Sequence, residues 1–365
     1  MRRVHLIAAA RPNFMKVAPL WHAFTATPDF QPVLIHAGQH FDANMSAVFL
    51  TDLQLPQPDH HLGVGSGTHA EQTATTMLGY EKIALQDPPE WVVVVGDVNS
   101  TVGAALAAAK LLVPVVHLEA GLRSGDRSMP EELNRLVTDA LADVLWTPSV
   151  DADRNLEAEG IAETRITRVG NIMLDSFELV RSAVEQAPVA KELGLVGKEF
   201  AVVTLHRPSN VDDPTRLKLL VQSLLEVHRQ LPIVFPMHPR TLNRLEALNL
   251  VNEVRGSGIT LLPPQSYISF MNLVRHAAVV ITDSGGVQEE TTYLGIPCLT
   301  LRENTERPIT IIEGTNRLVE PERLNREVRD VLRSRCSPSR IPPLWDGQTA
   351  SRCVEDLRRR TAARR

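Results

Sequence analysis

Two series of short, uninterrupted apolar runs, each followed by a polar turn and a helix-length stretch, constrain the fold of this chain more than any other feature. The first series comprises residues 4–9, 33–36, 91–95, 113–117 and 144–146; the second comprises 200–205, 233–237, 259–262, 279–282 and 298–301. Runs without polar alternation mark strands buried on both faces, as in parallel sheets covered by helices. Helical stretches such as 102–112, 215–230 and 286–294 stand between them. The expected class is α/β, with two Rossmann-like halves whose parallel sheets face a cleft.

Length agrees with two halves, since 365 residues exceed one core of about 150 residues. The first domain is expected over residues 1–170 and the second over 171–347, with 348–365 a helix able to pack back on the first. Hydrophobic residues at 43% and charged residues at 22% let burial offset the entropy of ordering the chain. A net charge of -5 argues against a nucleic-acid partner, and the basic stretch 358–365 reads as a solvated helix end. No run approaches the ~20 apolar residues that span a bilayer, and Arg11, Pro12 and Asn13 follow the first strand where a signal peptide would have its cleavage site. A cytoplasmic protein without membrane partners is expected. Cys298, Cys336 and Cys353 lack metal-ligand spacing and read as reduced thiols.

In open parallel sheets, ligands sit beyond the carboxyl ends of the strands, where loops converge and helix N-termini point their N–H groups inward. Polar residues just past the expected strands are Arg11, Gln39, His40, Asp97 and Glu119 in the first half. In the second they are His206, Arg207, His238, Gln265, Asp283 and Ser284.

The segment Asp283-Ser284-Gly285-Gly286 ends a strand and opens a helix. Its glycines admit a ligand to the backbone, and the helix entry offers unpaired N–H groups, so a phosphate site is expected. Asp283 or Ser284 is expected to cap the helix as well. Glu290 reads locally as a surface glutamate. Asp97 has a capping reading and a site reading, whereas Glu119, followed by a glycine turn and an arginine, favours function. Ser128-Met129-Pro130-Glu131 fits a capping box, and Arg135 stands one turn beyond Glu131, so Glu131 reads locally as structural. His206-Arg207 at a strand tip suits holding an anion and moving a proton.

Other motifs are missing. No G-x-G-x-x-G follows the first strand and no G-x-x-x-x-G-K-[ST] occurs, so no dinucleotide cofactor is expected. Gly63-Val64-Gly65-Ser66-Gly67 reads as a loop without a preceding strand. Asp59-His60-His61, and His117 with Glu119, lack a second cluster to complete a metal site, so no metal is expected.

Together these motifs resemble the non-hydrolysing UDP-N-acetylglucosamine 2-epimerases, of the glycosyltransferase-B type fold. The resemblance runs from about residue 3 to about residue 320. It is carried by Arg11-Pro12 with Lys16, Gly38-Gln39-His40, Gly96-Asp97, His117-Leu118-Glu119-Ala120-Gly121-Leu122-Arg123 and Pro130-Glu131-Glu132-Leu133-Asn134-Arg135. His206-Arg207, Asp283-Ser284-Gly285-Gly286-Val287-Gln288-Glu289-Glu290 and Thr305-Glu306-Arg307-Pro308 complete it. The resemblance implies Asp97, Glu119, Glu131 and His206 as the catalytic group. It implies that Arg11, Lys16, His238, Gln265, Phe270, Ser284, Gly285, Gly286, Glu290 and Arg307 hold UDP, with Phe270 on uracil and Glu290 on ribose. It also implies a homodimer, no cofactor, and reversible C2 epimerisation of UDP-N-acetylglucosamine to UDP-N-acetylmannosamine through a 2-acetamidoglucal.

Some positions depart from the family pattern. Asn13 follows Pro12 where many members have glutamate, and Pro208-Ser209-Asn210 stands where many have arginine and glutamate. Gln39-His40-Phe41-Asp42 and Asp126-Arg127-Ser128 are similar to relatives acting on diacetamido-uronic sugars. A hydrolysing epimerase, a glycosyltransferase of the same fold and a non-catalytic sugar-nucleotide sensor are the competing readings.

Overall fold

A computed structural model describes residues 1–9, 11–38, 50–334 and 340–364, with Arg11, Pro12 and Ser334 described by backbone alone. Gln39, His40, Phe41, Asp42 and Cys336 lie outside the described residues. The chain divides into two compact units, Met1–Leu179 with Pro343–Arg365, and Val180–Pro342. Each is α/β and built on one parallel sheet.

The first unit's strands are β1 (Arg2–Ala8), β2 (Phe30–Gly38), β3 (His60–Val64), β4 (Trp91–Val95), β5 (Val115–Leu118), β6 (Val144–Thr147) and β7 (Ile166–Arg168). They are ordered β3-β2-β1-β4-β5-β6-β7, with every pairing parallel. The second unit carries β8 (Ala201–Thr204), β9 (Ile233–Pro236), β10 (Thr260–Leu262), β11 (Val279–Thr282), β12 (Cys298–Thr300) and β13 (Asn316–Leu318), ordered β10-β9-β8-β11-β12-β13 and likewise parallel.

The apolar runs form the central strands because both faces are covered. Val92, Val94, Ile35 and Leu145 meet Tyr80, Ala84 and the alanines 104, 105, 107 and 108 of the covering helices. Val203, Ile233, Phe235, Ile281 and Leu299 meet Leu220, Leu224 and Val227 in the second unit. Each large side chain so buried contributes about 1.5–3 kcal/mol. The helices His69–Gln86 and Asn99–Lys110 approach closely at Gly103, where a Cβ would come within 2.7 Å of the Thr73 carbonyl oxygen.

Three strands that the sequence did not announce, β3, β7 and β13, are edge strands. Their residues are mostly half-buried, so no uninterrupted apolar run marks them. Gly63 and Val64 therefore close β3, and the loop reading of this glycine-rich segment holds only beyond them.

The helix Thr349–Ala363 belongs to the first unit. Trp91 Nε1 donates to Thr361 Oγ1 at 3.0 Å and Trp146 Nε1 to Asp356 Oδ2 at 2.8 Å. Asp175 accepts the Thr349 and Ala350 N–H groups at 3.0 and 2.8 Å, closing the helix entry.

Strand order reverses between β1 and β4 in one sheet and between β8 and β11 in the other. A crevice opens outside the carboxyl ends at such a switch point. Lys16 follows β1 and Asp97 follows β4; His206 follows β8 and Ser284 follows β11.

Candidate active site

In the first unit the site is built at the tips of β1, β4 and β5. Glu119 is 5% exposed and adopts φ 70°, a left-handed conformation that costs a non-glycine residue on the order of 1 kcal/mol or more. Lys16 is ion-paired with its carboxylate. Gly96, at φ 70°, leaves room for this pair: a Cβ there would lie 3.3 Å from Lys16 Nζ and 3.4 Å from Glu119 Oε2. Asn13 donates from Nδ2 to the Val95 carbonyl at 3.0 Å and braces the tip of β4.

Asp97 does not cap the helix Asn99–Lys110, whose N-cap is Val98 without a side-chain bond. Its carboxylate pairs with Arg135, and its carbonyl accepts from Asn134 Nδ2 at 2.9 Å.

The capping-box reading of Ser128 and Glu131 is overturned. Pro130 takes the first helical position, so the N-cap is Met129, with no side-chain bond. Ser128 turns back instead, and its hydroxyl donates to Asp126 Oδ1 at 2.6 Å. The structural carboxylate is Glu132, which accepts the Ser124 and Gly125 N–H groups at 2.9 and 3.0 Å and pairs with Arg135 at 2.9 Å. Arg135 thus bridges Glu132 and Asp97, not Glu131. Glu131 is exposed and, with Asp97, lines a pocket of about 670 Å³ together with His36, His69, Asn99 and Asn134.

In the second unit the turn after β11 departs from the capping expectation. The N-cap of the helix Gly285–Leu294 is Ser284, yet neither Ser284 nor Asp283 caps through its side chain. Asp283 is fully buried and faces β8, accepting the Arg207 N–H at 2.9 Å and Asn210 Nδ2 at 3.2 Å. The helix entry itself is open: a Cβ on Gly286 would meet nothing within 4 Å, and one on Gly285 would meet Arg307 Nη1 at 3.0 Å.

Arg307 is held over Gly285 by Glu289 at 2.8 Å. Behind it, Glu306 accepts two 2.9 Å bonds from Arg302, with Arg207 at 3.5 Å and Arg307 at 3.8 Å. Burial pushes the Glu306 carboxyl up, but the Arg302 bonds and the charges of Arg307, Arg302 and Arg207 hold it well below the usual range. The three guanidinium groups are balanced by the carboxylates of Glu306, Glu289 and, beside Arg207, Asp283, so what suits an anion here is the open helix N-terminus with Arg307 held over it.

His238 caps the helix Pro239–Ala247, its Nδ1 accepting the Arg240 N–H at 3.2 Å. That bond leaves the ring hydrogen on Nε2. Burial, with His206 at a ring-centroid distance of 5.5 Å, lowers its pKa. Gln265 donates to the Pro263 carbonyl at 2.8 Å, and Phe270 lies half-buried in the helix Tyr267–His276. Glu290 is not a surface residue: it is 4% exposed, accepts the Tyr267 hydroxyl at 2.7 Å, and burial raises its pKa to about 7.

The structure thus brings Lys16, Asp97, Glu119 and Glu131 to one end of the first sheet, and His206, His238, Ser284, Gly285, Gly286 and Arg307 to one end of the second. Glu132, Glu289 and Glu306 lay inside the quoted motifs without a role. The i,i+3 spacing of Glu132 from Arg135 and the i,i+4 spacing of Glu306 from Arg302 were the available signal, whereas Glu289 is distant in sequence from Arg307 and gave none. Among the described residues no group of three or more His, Cys, Asp or Glu side chains is placed to hold a metal, and no helix is long and apolar enough to cross a membrane.

A family model described as UDP-N-acetylglucosamine 2-epimerase matches residues 22–358. A UDP-N-acetylglucosamine 2-epimerase of Methanocaldococcus jannaschii is 38% identical over 363 residues, covering 97% of this chain and 98% of that one. A UDP-2,3-diacetamido-2,3-dideoxy-D-glucuronate 2-epimerase of Pseudomonas aeruginosa is 39% identical, covering 87% and 88%. The crystal structure of the M. jannaschii enzyme in complex with UDP-GlcNAc and UDP matches with a TM-score of 0.87 over 97% of this chain and 99% of that one, at 38% identity. The fold shared with these structures is the glycosyltransferase-B type.

Proposed function

Because the chain belongs to the UDP-N-acetylglucosamine 2-epimerase family, a family of carbohydrate isomerases, we propose that it interconverts UDP-N-acetylglucosamine and UDP-N-acetylmannosamine. The C2 proton of such a sugar has no adjacent carbonyl and is not acidic. Breaking the C1–O bond gives C1 positive character and makes that proton removable. A base takes the proton, the C2–H electron pair becomes the C1–C2 double bond of a 2-acetamidoglucal, and UDP leaves with the C1–O pair. Readdition of a UDP oxygen at C1, with a proton delivered to the opposite face of C2, gives the epimer.

That reaction needs positive groups for the diphosphate, whose charge grows on departure, and acid and base groups for C2. Ser284, Gly285, Gly286 and Arg307 suit the diphosphate, with Arg11, Lys16, His238 and Gln265 as further UDP contacts. Phe270 takes the uracil and Glu290 the ribose. Asp97, Glu119, Glu131 and His206 are the catalytic group. The observation that carries this reading is that Asp97 and Glu131 line one pocket while neither caps a helix. The enzyme works without a cofactor, in the cytoplasm and as a homodimer.

Incubation with UDP-N-acetylglucosamine in deuterated water is expected to place deuterium at C2 of both epimers. Recovery of unlabelled, unchanged nucleotide sugar overturns the proposal, and release of free N-acetylmannosamine indicates a hydrolysing enzyme. The relative from P. aeruginosa favours a second reading, a UDP-diacetamido-uronic sugar as substrate, which the same assay run with that sugar distinguishes.

A further inference from the structure

His117, in β5, is fully buried, and both ring nitrogens meet oxygen. Nε2 lies 2.8 Å from the Gly96 carbonyl oxygen and Nδ1 lies 2.6 Å from Asp139 Oδ1. A carbonyl oxygen only accepts, so Nε2 carries hydrogen. The other Asp139 oxygen accepts the Gly121 N–H at 3.0 Å and pairs with Arg123 at 2.8 Å. Burial pushes the Asp139 carboxyl up, but His117 and Arg123 hold it below its usual range. Paired with the Arg123 guanidinium and the Gly121 N–H on its other oxygen, Asp139 is a carboxylate, which also only accepts, so Nδ1 carries hydrogen too, and the ring is an imidazolium.

The residues it ties together matter more than the pair itself. Gly96 immediately precedes Asp97, and Gly121 stands two residues past Glu119. Gly96, Glu119 and Gly121 have φ of 70°, 70° and 80°. The two glycines adopt this conformation freely, but Glu119 does not, and surrounding contacts must hold it there. At Gly121 a Cβ would come within 2.4 Å of the Ala152 carbonyl oxygen, so that turn has no room to shift outward. His117 spans both turns, through Gly96 on one side and through Asp139 and Gly121 on the other. The charged groups around it are Asp139, Arg123 and, beyond Gly96, the Lys16–Glu119 pair.

We propose that His117 is a positioning residue: a cationic pin that holds the turns bearing Asp97 and Glu119 in the geometry epimerisation requires. This rests on the epimerase reading above. Two measurements test it. In ¹⁵N NMR of the histidine-labelled wild-type protein, with His117→Gln used for assignment, both ring nitrogens of His117 are expected to carry hydrogen at about pH 7.5. A bare ring nitrogen overturns the proposal. In the deuterium assay, His117→Gln is expected to lose about 100-fold in kcat, with KM changed less than about threefold and UDP affinity retained. An unchanged kcat overturns it. If that variant does not fold, the wild-type spectrum decides, with the His117 ring assigned by through-bond correlation to its own backbone. If the wild-type protein turns over no UDP-sugar, the epimerase reading fails, and the ring's protonation still decides whether the pin exists.

Discussion

The buried carboxylate of Asp283 lies 3.0 Å from Nδ1 of His206 and also accepts that residue's own backbone N–H at 3.0 and 3.1 Å. One carboxylate thus fixes both the main chain and the ring of a proposed catalytic residue, leaving Nε2 for a substrate. Burial opposes the charge on Asp283, but His206 and the backbone N–H groups prevail and its pKa is lowered.

Asp283→Asn replaces an acceptor of several hydrogen bonds by an amide that must also donate. Stability is expected to fall by about 1–3 kcal/mol near neutral pH. Because the folded-state pKa of Asp283 is lowered, its contribution is present above the unfolded carboxylate value of about 3.9 and is lost as pH falls through the folded value. Urea unfolding of both proteins over a pH series should show the deficit closing toward acid. A deficit that widens there contradicts the pairing.

Glu131 and Glu132, adjacent in sequence, should separate function from folding. Glu131→Gln is expected to abolish C2 exchange with stability unchanged within about 0.5 kcal/mol, since no cap depends on it. Glu132→Gln should cost about 2–3 kcal/mol, because it holds two backbone N–H groups and Arg135. Thermal melts beside the exchange assay check both; equal destabilisation by the two variants would restore a structural role to Glu131.

Glu290 gives a pH signature of opposite sign. Its folded-state pKa of about 7 is raised by burial, so between the unfolded value and 7 the folded protein binds the extra proton. Stability from this site is full at acid pH and declines as pH rises toward 7, by a few kcal/mol at most. Glu290→Gln should flatten that decline and raise Tm at pH about 8 relative to the wild type. A parallel pH dependence in the two proteins rules the effect out.

Gly285 and Gly286 sit at the helix entry without positive φ, so alanine fits the backbone at either position. Gly286→Ala, with open space around the new methyl, should fold normally yet weaken UDP binding about tenfold by occupying the approach to the N–H groups. Calorimetric titration with UDP measures it, and undiminished affinity removes the turn from the diphosphate site.

The central strands and the positions of Asp97, Glu119 and His206 were readable from sequence because doubly covered strands are apolar throughout and ligands gather past their carboxyl ends. Edge strands β3, β7 and β13 lacked that pattern. The error at Ser128 came from matching a four-residue spacing while Pro130, which favours the first helical position, pointed to Met129 as the cap. The burial of Glu290, the links of His117 and Asp283, and the arginines around Glu306 depend on partners distant in sequence, which no local pattern specifies.

The second unit is inserted into the first, since the chain leaves the first unit at Leu179 and re-enters it at Pro343. On a ribosome that emits domains in order, the first unit cannot finish first. Trp91 and Trp146 wait, their indole N–H groups unanswered, until Thr361 and Asp356 emerge behind the whole of the second unit. The unit that is begun first is therefore completed last, and a nascent chain stalled before residue 343 would present to the cell's chaperones a sheet with all its strands but without its last covering helix.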